Sequence, residues 1–246
     1  MTNKELIQHF PDLIHASVAV ADLTIDIAND SIAARGAFMF VISGGRTPNV
    51  FFETIAESPH RRKMPWGNMH IFWADERCVP DTHSDSNYNT AFNGFISKVP
   101  VLTANVHPIV VNSGHAEDAA KKYEQQVQST FDKSGIDGSF PVFDMILLGM
   151  GADGHTASLF PRSPALKEKQ RWFVLAPAPS ILPEVQRITM TLPVINNARN
   201  VVFLVSGKNK KNTLSAVMEK KDGDRYPAAR VQPQGNLYWF LDDSSV

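Results

Sequence analysis

The spacing of apolar residues near the amino end predicts a long amphipathic helix followed by a buried strand. The segment from Pro11 to about Ala34 contains no glycine. Its apolar face repeats at the four-three-four spacing of a helix, and its members are Ala16, Val20, Leu23 and Ile27. Gly36 ends this helix. The unbroken apolar run at 37–42 then favours a central strand that is covered on both sides.

The same alternation of strand and helix patterns continues to the carboxyl end. Apolar runs that predict strands occur at 70–74, 106–111, 143–148, 172–175, 201–205 and 237–241. Helical patterns lie between most of them, notably at 49–56, 116–131 and 210–218. This order predicts an α/β fold, a doubly wound, mostly parallel sheet with helices on both faces, in a Rossmann-like arrangement. We expect residues 1–246 to form a single domain, with 176–183 and 222–233 as surface loops.

Composition narrows the class of protein. Among 246 residues, 24 Lys and Arg face 25 Asp and Glu, so the formal net charge of −1 gives no global field to hold nucleic acid. Cys78 is the one cysteine of the chain, which is typical of a reducing cytoplasm. The amino end lacks a signal-peptide pattern, and no apolar run approaches the ~18 residues of a membrane span. We therefore expect a cytoplasmic protein that binds neither nucleic acid nor membrane.

The first strand end with chemical interest is the turn from Ser43 to Pro48, because ligands of open parallel sheets lie beyond the carboxyl ends of the strands. Gly44 and Gly45 let the backbone approach a ligand closely, and amides at a helix start attract phosphate. We expect Thr47 to cap the following helix, with Pro48 in its first turn. Short glycine motifs are weakly specific, so an ordinary tight turn is the alternative.

Charged residues follow the strand at 70–74. Asp75, Glu76 and Arg77 leave this apolar strand directly. A guanidinium at such an edge can hold phosphate through two parallel hydrogen bonds. A salt bridge on a solvated loop is the alternative interpretation. Further on, Ser86 begins a second predicted capped helix.

The loop after the strand at 143–148 carries the strongest chemical signal. Three glycines surround Asp153 and His155, so both side chains reach the ligand edge with little bulk around them. Histidine titrates near neutral pH and can take a proton from water, and a nearby carboxylate fixes its tautomer and raises its basicity. An isolated histidine is more often structural, but the glycine spacing and the strand-end position favour catalysis here.

A fourth strand end, after 201–205, offers three lysines. Lys208, Lys210 and Lys211 follow Gly207 at a predicted helix start. At least one of these ammonium groups can reach a phosphate that is held at this edge. We expect the remaining lysines to be solvated side chains.

Taken in order, these motifs resemble the 6-phosphogluconolactonase family over nearly the whole chain. The segments that carry the resemblance are 43–48, 75–80, 86–88, 149–161 and 207–210. The resemblance implies a metal-independent esterase without a cofactor, on the fold shared with glucosamine-6-phosphate deaminase. Its implied partner is a small-molecule sugar-phosphate lactone, which it hydrolyses to 6-phosphogluconate in the pentose phosphate pathway. Arg46 departs from the serine that many relatives carry.

The resemblance also implies roles for individual residues. His155 is the general base that activates water, and Asp153 either orients it or binds a sugar hydroxyl. Arg77 and Lys210 grip the phosphate. The other implied substrate contacts are Gly44, Gly45, Arg46, Thr47 and Asp75. Asp75 either faces the sugar hydroxyls or positions Arg77, and the sequence does not choose between glycine-loop amides and Arg46 as oxyanion donors.

Three other functions fit parts of the pattern less well. A deaminating isomerase of amino-sugar phosphates resembles the chain at 153–155, but the Glu that partners its histidine corresponds to Phe160 here. A sugar-phosphate sensor needs an effector segment, and the sequence offers no spare DNA-binding region. A zinc hydrolase needs clustered ligands, whereas the eight histidines show no metal-binding spacing.

The sequence leaves several points open. It does not decide between a monomer and an oligomer. Arg46, Lys208, Lys211 and Arg187 are equally available as secondary anion contacts. Cys78 follows Arg77 but has no histidine close in sequence, so we expect a structural thiol rather than a nucleophile.

Overall fold

The computed structural model describes residues 4–111, 116–133, 139–179 and 183–245. Its strands are β1 (Glu5–Phe10), β2 (Phe38–Ile42), β3 (Met69–Trp73), β4 (Asp75–Arg77), β5 (Val106–His107), β6 (Met145–Leu148), β7 (Phe173–Ala176), β8 (Arg187–Met190), β9 (Asn200–Val205) and β10 (Asn236–Asp242). Its helices are α1 (Leu13–Arg35), α2 (Arg46–Ala56), α3 (His60–Lys63), α4 (Asn87–Gly94), α5 (Ala116–Lys133), α6 (Leu192–Asn196) and α7 (Lys211–Met218). Within these ranges, no helix has the length and apolar character needed to cross a bilayer.

The larger sheet confirms the predicted parallel, doubly wound architecture. In the described part of the chain its order is β1-β10-β9-β6-β2-β3-β5, and neighbouring strands are parallel throughout. From β2 the chain adds β3 and β5 on one side and then β6, β9 and β10 on the other. The winding therefore reverses between β2 and β6. Open α/β sheets bind ligands beyond the carboxyl ends of the strands at such a point.

The hydrophobic pattern near the amino end folds as predicted. α1 begins after Asp12, whose carboxylate accepts the backbone N–H of His15. It ends at Gly36, which adopts the left-handed φ of 82° that a helix terminus of this kind requires. Every residue of β2 is buried, as expected of a strand that has neighbours on both edges and is covered on both faces.

A smaller antiparallel sheet, in the order β4-β8-β7, was not anticipated from the sequence. The apolar run at 172–175 lies in this sheet as β7 rather than in the parallel one. Ala74 alone separates β3 from β4, so the chain passes directly from the carboxyl edge of the first sheet into the second. The second sheet pairs segments that are far apart in the chain, which local patterns do not reveal.

Two strands differ from their sequence predictions. β1 has no predicted counterpart, because this edge strand exposes most of its side chains and carries no apolar pattern. The strand expected at 106–111 ends at His107, since Pro108 has no N–H to donate to a ladder. The strong patterns therefore located central strands better than strands at the edges.

Helix starts and loops also test the predictions. Ser86 caps α4 as expected, because its side chain accepts the N–H of Asn89. The cap assigned to Thr47 is wrong: α2 begins at Arg46, and Gly45 takes the cap position without a side-chain hydrogen bond. The loop at 222–233 contains a short 3₁₀ turn at Pro227–Arg230. In the loop at 176–183, residues 180–182 lie outside the described residues.

Candidate active site

Hydrogen bonds and close packing join the three predicted strand-end loops. Ser158, on the loop after β6, donates its hydroxyl to Asp75 Oδ2 at 2.6 Å. Asn87 donates its side-chain amide to the carbonyl oxygen of Asp75 at 2.8 Å. The same amide packs directly on Gly44, where an added Cβ would overlap Asn87 Oδ1. The loops that follow β2, β3 and β6 therefore meet beside the reversal point of the sheet.

His155 and Asp153 form a close pair on this loop. Asp153 Oδ1 lies 2.5 Å from His155 Nδ1 and also accepts the backbone N–H of His155 at 3.1 Å. Partial burial opposes ionisation of Asp153, but the hydrogen bonds and charge of His155 outweigh it and hold the pKa of this carboxyl below its usual value. In the neutral tautomer that donates its Nδ1–H to this carboxylate, Nε2 carries the lone pair. The His155 side chain is 21% exposed, so this nitrogen belongs to a ring that solvent can reach.

Two glycines make the pair possible. A Cβ on Gly151 would overlap the His155 ring and would lie 2.7 Å from Asp153 Oδ1. Gly154 has a φ of 83°, and a Cβ there would lie 2.9 Å from the ring of Tyr226. The sequence signal of repeated glycines thus has a steric cause, because a side chain at either position would displace the histidine or its loop.

The two carboxylates after β3 are buried and hold the loop together. Asp75 is 6% exposed and accepts hydrogen bonds from Ser158 and Asn87. Glu76 is 2% exposed, and its oxygens accept the backbone N–H groups of Arg77, Asn87 and Tyr88. Burial raises the pKa of Glu76 to about 7, and the charge of Asp75 adds to this effect. The contact expected between Asp75 and a sugar hydroxyl stays a prediction.

Arg77 lies beside a second guanidinium that sequence reasoning left undecided. In the β4–β8 ladder, Arg77 is directly opposite Arg187. Arg77 Nη1 donates to the carbonyl oxygen of Asp85 at 2.6 Å, and Arg187 Nη2 donates to that of Pro183 at 3.3 Å. Among the described residues, the buried Nε of each has no hydrogen-bond partner. Burial lowers the pKa of Arg187, Asp75 opposes this, and the charge of Arg77 adds to the lowering. Two neighbouring guanidinium groups with N–H donors that are unpartnered within the described part of the chain are suited to bind an anion.

Lys210 is influenced by a different cation, Arg46. Burial lowers the pKa of Lys210, the carboxylate of Asp242 opposes this, and the positive charge of Arg46 adds to the lowering. The hydroxyl of Thr213, on α7 just after Lys210, donates to the Ala152 carbonyl at 2.6 Å and so ties α7 to the histidine loop. The positive charge of Arg46 therefore acts on Lys210, and the joint grip of Arg77 and Lys210 stays a prediction.

Comparison with known proteins assigns the chain to a family. A family model described as glucosamine-6-phosphate isomerases/6-phosphogluconolactonase matches residues 11–239. The chain belongs to this family. The 6-phosphogluconolactonase of Synechocystis sp. is 40% identical over 216 residues, which are 87% of this chain and 86% of that protein. The 6-phosphogluconolactonase of Nostoc sp. is 37% identical over 97% of this chain and 96% of its own length.

A solved structure extends the likeness to the fold. The 6-phosphogluconolactonase of Thermotoga maritima has a TM-score of 0.83 and 28% identity, and the match covers 98% of this chain and 100% of that one. The chain is therefore an enzyme of this family, with the same α/β architecture. The structure pairs His155 with Asp153, and the roles of the individual site residues stay predictions.

The structure also bears on the predictions for Phe160, Cys78 and the lysines after β9. At the position where deaminases of this fold carry a glutamate, the Phe160 ring packs against His155, with centroids 4.6 Å apart. Burial, together with the charge of Glu76, raises the pKa of Cys78 to about 11, which leaves the thiol protonated at neutral pH. Lys208 and Lys211 are exposed.

Across the described ranges, no cluster of three or more His, Cys, Asp or Glu side chains has the arrangement of a metal site. His115 lies outside the described residues. Metal independence and the lack of a cofactor stay predictions.

Proposed function

We propose that the chain hydrolyses 6-phospho-D-glucono-1,5-lactone to 6-phospho-D-gluconate, a step of the oxidative pentose phosphate pathway, with His155 as the base. Relatives at 37–40% identity are named 6-phosphogluconolactonase. The observation that carries the residue assignment is the 2.5 Å contact between His155 Nδ1 and Asp153 Oδ1. It supports the tautomer with its proton on Nδ1, in which Nε2 is available to a water molecule at the ligand edge of the sheet.

In the proposed reaction, Nε2 of His155 takes a proton from water while the water oxygen bonds to the lactone carbonyl carbon. The tetrahedral intermediate then expels the ring oxygen as the bond from the carbonyl carbon to that oxygen breaks. The imidazolium returns its proton to this oxygen, and the new carboxylic acid ionises in water. Asp153 holds the ring and stabilises its positive charge between the two transfers. General-base assistance of this kind is worth about 10²–10⁴ in rate.

The phosphate is remote from the reacting bond and can hold the carbonyl carbon in place against the water. We assign its binding to Arg77 and Lys210, with Arg187 and Arg46 as their respective neighbours. Cross-strand pairing of Arg77 with Arg187 supports one half of this cluster. The influence of Arg46 on Lys210 supports the other half. A phosphate dianion can accept hydrogen bonds from several such groups, and each is charge-assisted.

The oxyanion of the tetrahedral intermediate needs hydrogen-bond donors near the base. We assign this role to backbone N–H groups of the Gly44–Gly45 turn, which stands at the start of α2. The packing of Gly44 on Asn87 supports the assignment, because it fixes the turn beside the other loops of the site. Such fixed donors act on charge that develops in the transition state.

The test is the rate of acid release from freshly prepared 6-phosphogluconolactone. We expect the protein to exceed the buffer rate by orders of magnitude and to keep that rate after treatment with a chelator in excess. A rate equal to that of buffer would overturn the lactonase proposal. Loss of activity with the chelator and recovery with a divalent metal would overturn the metal-free mechanism. Release of ammonia from glucosamine 6-phosphate in a parallel assay would favour the deaminase alternative.

A further inference from the structure

Phe160 contacts both the proposed base and Arg187, the cross-strand neighbour of Arg77. Its ring centroid lies 4.6 Å from that of His155, with the planes tilted by 42°. The guanidinium carbon of Arg187 lies over the same phenyl ring, 5.2 Å from its centroid. One aromatic side chain therefore touches two groups to which the proposed reaction gives different tasks.

The single hydrogen bond to Asp153 does not fix the imidazole by itself. It locates Nδ1, but the ring can still tilt about this contact. Two surfaces restrict that tilt: Gly151, which lies so close that an added Cβ would overlap the ring, and the phenyl ring of Phe160. The direction of the Nε2 lone pair thus depends on three contacts rather than one.

Phe160 is itself held in place, as a supporting side chain must be. It is 8% exposed, and its carbonyl oxygen accepts the N–H of Ser163 at 3.0 Å. Leu159, the preceding residue, forms a β-bridge with Thr156, the residue that follows His155. The phenyl ring is therefore part of a closed turn and not a freely rotating surface group.

The charges around this contact define what the ring can do. Among the described contacts of His155 and Phe160, the charged groups are Asp153 on the same loop and Arg187 on β8. The face of an aromatic ring attracts a cation. When His155 becomes an imidazolium during the reaction, the phenyl ring stabilises it, in addition to holding its orientation.

We infer that Phe160 is a positioning residue for His155, which fixes the plane of the imidazole and stabilises its protonated form. The inference rests on the proposed function, because it assumes that His155 is the base of a hydrolysis. A purely structural role would lower the stability of the fold and leave the kinetics of the folded protein unchanged. The two roles therefore differ in kcat and its pH dependence.

The experiment compares Phe160→Leu, which keeps an apolar side chain but removes the flat ring, with Phe160→Tyr, which keeps the ring. For Phe160→Leu we expect kcat to fall about tenfold, as for a small misplacement of a reacting group, with little change in KM. We also expect the acid limb of the kcat profile to move about half a pH unit lower, the size of a modest cation–aromatic contact. Phe160→Tyr should restore both quantities to near wild-type values.

Phe95→Leu is the matched control. Phe95 is fully buried and packs on Phe52, with ring centroids 4.9 Å apart, beyond the far end of α4. It should lose stability without a change in kcat or in the pH profile. If Phe160→Leu does not fold, Phe160→Met carries the same expectation, since its flexible thioether can fill the space.

The outcomes separate the inference from the function on which it rests. An inactive wild-type protein would overturn both. An active wild type with a Phe160→Leu variant that matches Phe95→Leu would overturn the inference alone. A rise in KM for the phosphorylated lactone with an unchanged kcat would also overturn it, because the ring would then act through Arg187 on binding.

Discussion

Two histidine pairs lie along this sheet, and their partners give them different chemistry. At the carboxyl edge, His155 contacts the carboxylate of Asp153 at 2.5 Å. On the neighbouring strands β3 and β5, His70 Nδ1 lies 3.0 Å from His107 Nε2, and the two rings stack. A carboxylate stabilises an imidazolium, whereas a second imidazole can only share one proton with it. The comparison teaches that the partner of a histidine, and its position on the sheet, decide whether it can serve as a base.

The second pair, His70 and His107, is held by contacts with neighbouring side chains. Gln126 Nε2 lies 3.5 Å from His107 Nδ1, and the His107 ring stacks on Phe72 with centroids 4.5 Å apart. If Gln126 donates to Nδ1, His107 donates its Nε2–H to His70, and both rings are neutral. Burial accordingly lowers the pKa of His70 below its ordinary value. This pair favours the neutral state, which His155 leaves in the proposed reaction.

The largest expected effect on turnover comes from replacing His155 of the first pair, and His70 of the second pair is its control. We expect His155→Gln to lower kcat by about 10²–10⁴, the usual contribution of a general base, with a small change in KM. His70→Gln keeps an acceptor for His107 and should retain wild-type turnover. Steady-state kinetics on the fresh lactone measure both variants. Equal losses in both variants, or a normal kcat in His155→Gln, would remove the distinction between the pairs.

A smaller effect should come from the cations that are assigned to the phosphate. We expect Arg77→Met and Lys210→Met each to raise KM for the phosphorylated lactone about 10–100-fold, as befits the loss of charge-assisted hydrogen bonds. Turnover of the unphosphorylated gluconolactone should change much less, because these groups are assigned to a remote phosphate. Arg61→Met, an exposed site on α3, controls for the loss of one positive charge. Equal losses on both lactones would contradict the assignment.

The smallest effect should be on stability, and it belongs to the second pair. Because the folded pKa of His70 lies below 6.5, the unfolded chain takes up a proton first as the pH falls. The free energy of unfolding should therefore decrease below about pH 6.5, and His70→Gln should weaken this decrease. Urea unfolding at several pH values measures the difference between the two proteins. Parallel curves for both proteins would show that His70 does not contribute.

The effect of His70 on stability must be measured as a difference between the wild type and His70→Gln, because Glu76 also changes stability with pH. The pKa of Glu76 is raised to about 7 in the fold, so its contribution to stability is lost as the pH rises from about 4.5 towards 7. This trend opposes the one expected from His70. Both proteins contain Glu76, so the difference between their curves isolates the histidine.

The sequence predicted the features that depend on local patterns. The periodic face of α1, the buried run of β2 and the glycines around His155 each reflect constraints between residues close in the chain. The pairing of Asp153 with His155 belongs to the same class, because only Gly154 separates them and the glycines leave room for the contact. Short-range spacing was therefore enough to locate the proposed base and its carboxylate.

Other parts of the site depend on tertiary contacts. Arg187 becomes a candidate anion contact because it is opposite Arg77 in a ladder that joins distant segments of the chain. Asp75 is occupied by Ser158, which lies 83 positions further along the chain. The cap expected at Thr47 was wrong because α2 starts at Arg46, two residues earlier than a cap at Thr47 implies. Spacing in the sequence carries no signal for such contacts.

The crowding at Gly151 has a consequence for the range of sequences that this loop can accept. Any larger residue at 151 would push the imidazole and the carboxylate apart. Around Gly149, by contrast, a Cβ would meet no atom within 4 Å. Selection for turnover from a saturated library should therefore retain glycine alone at 151 while admitting alanine or serine at 149, although the two positions look alike in the motif.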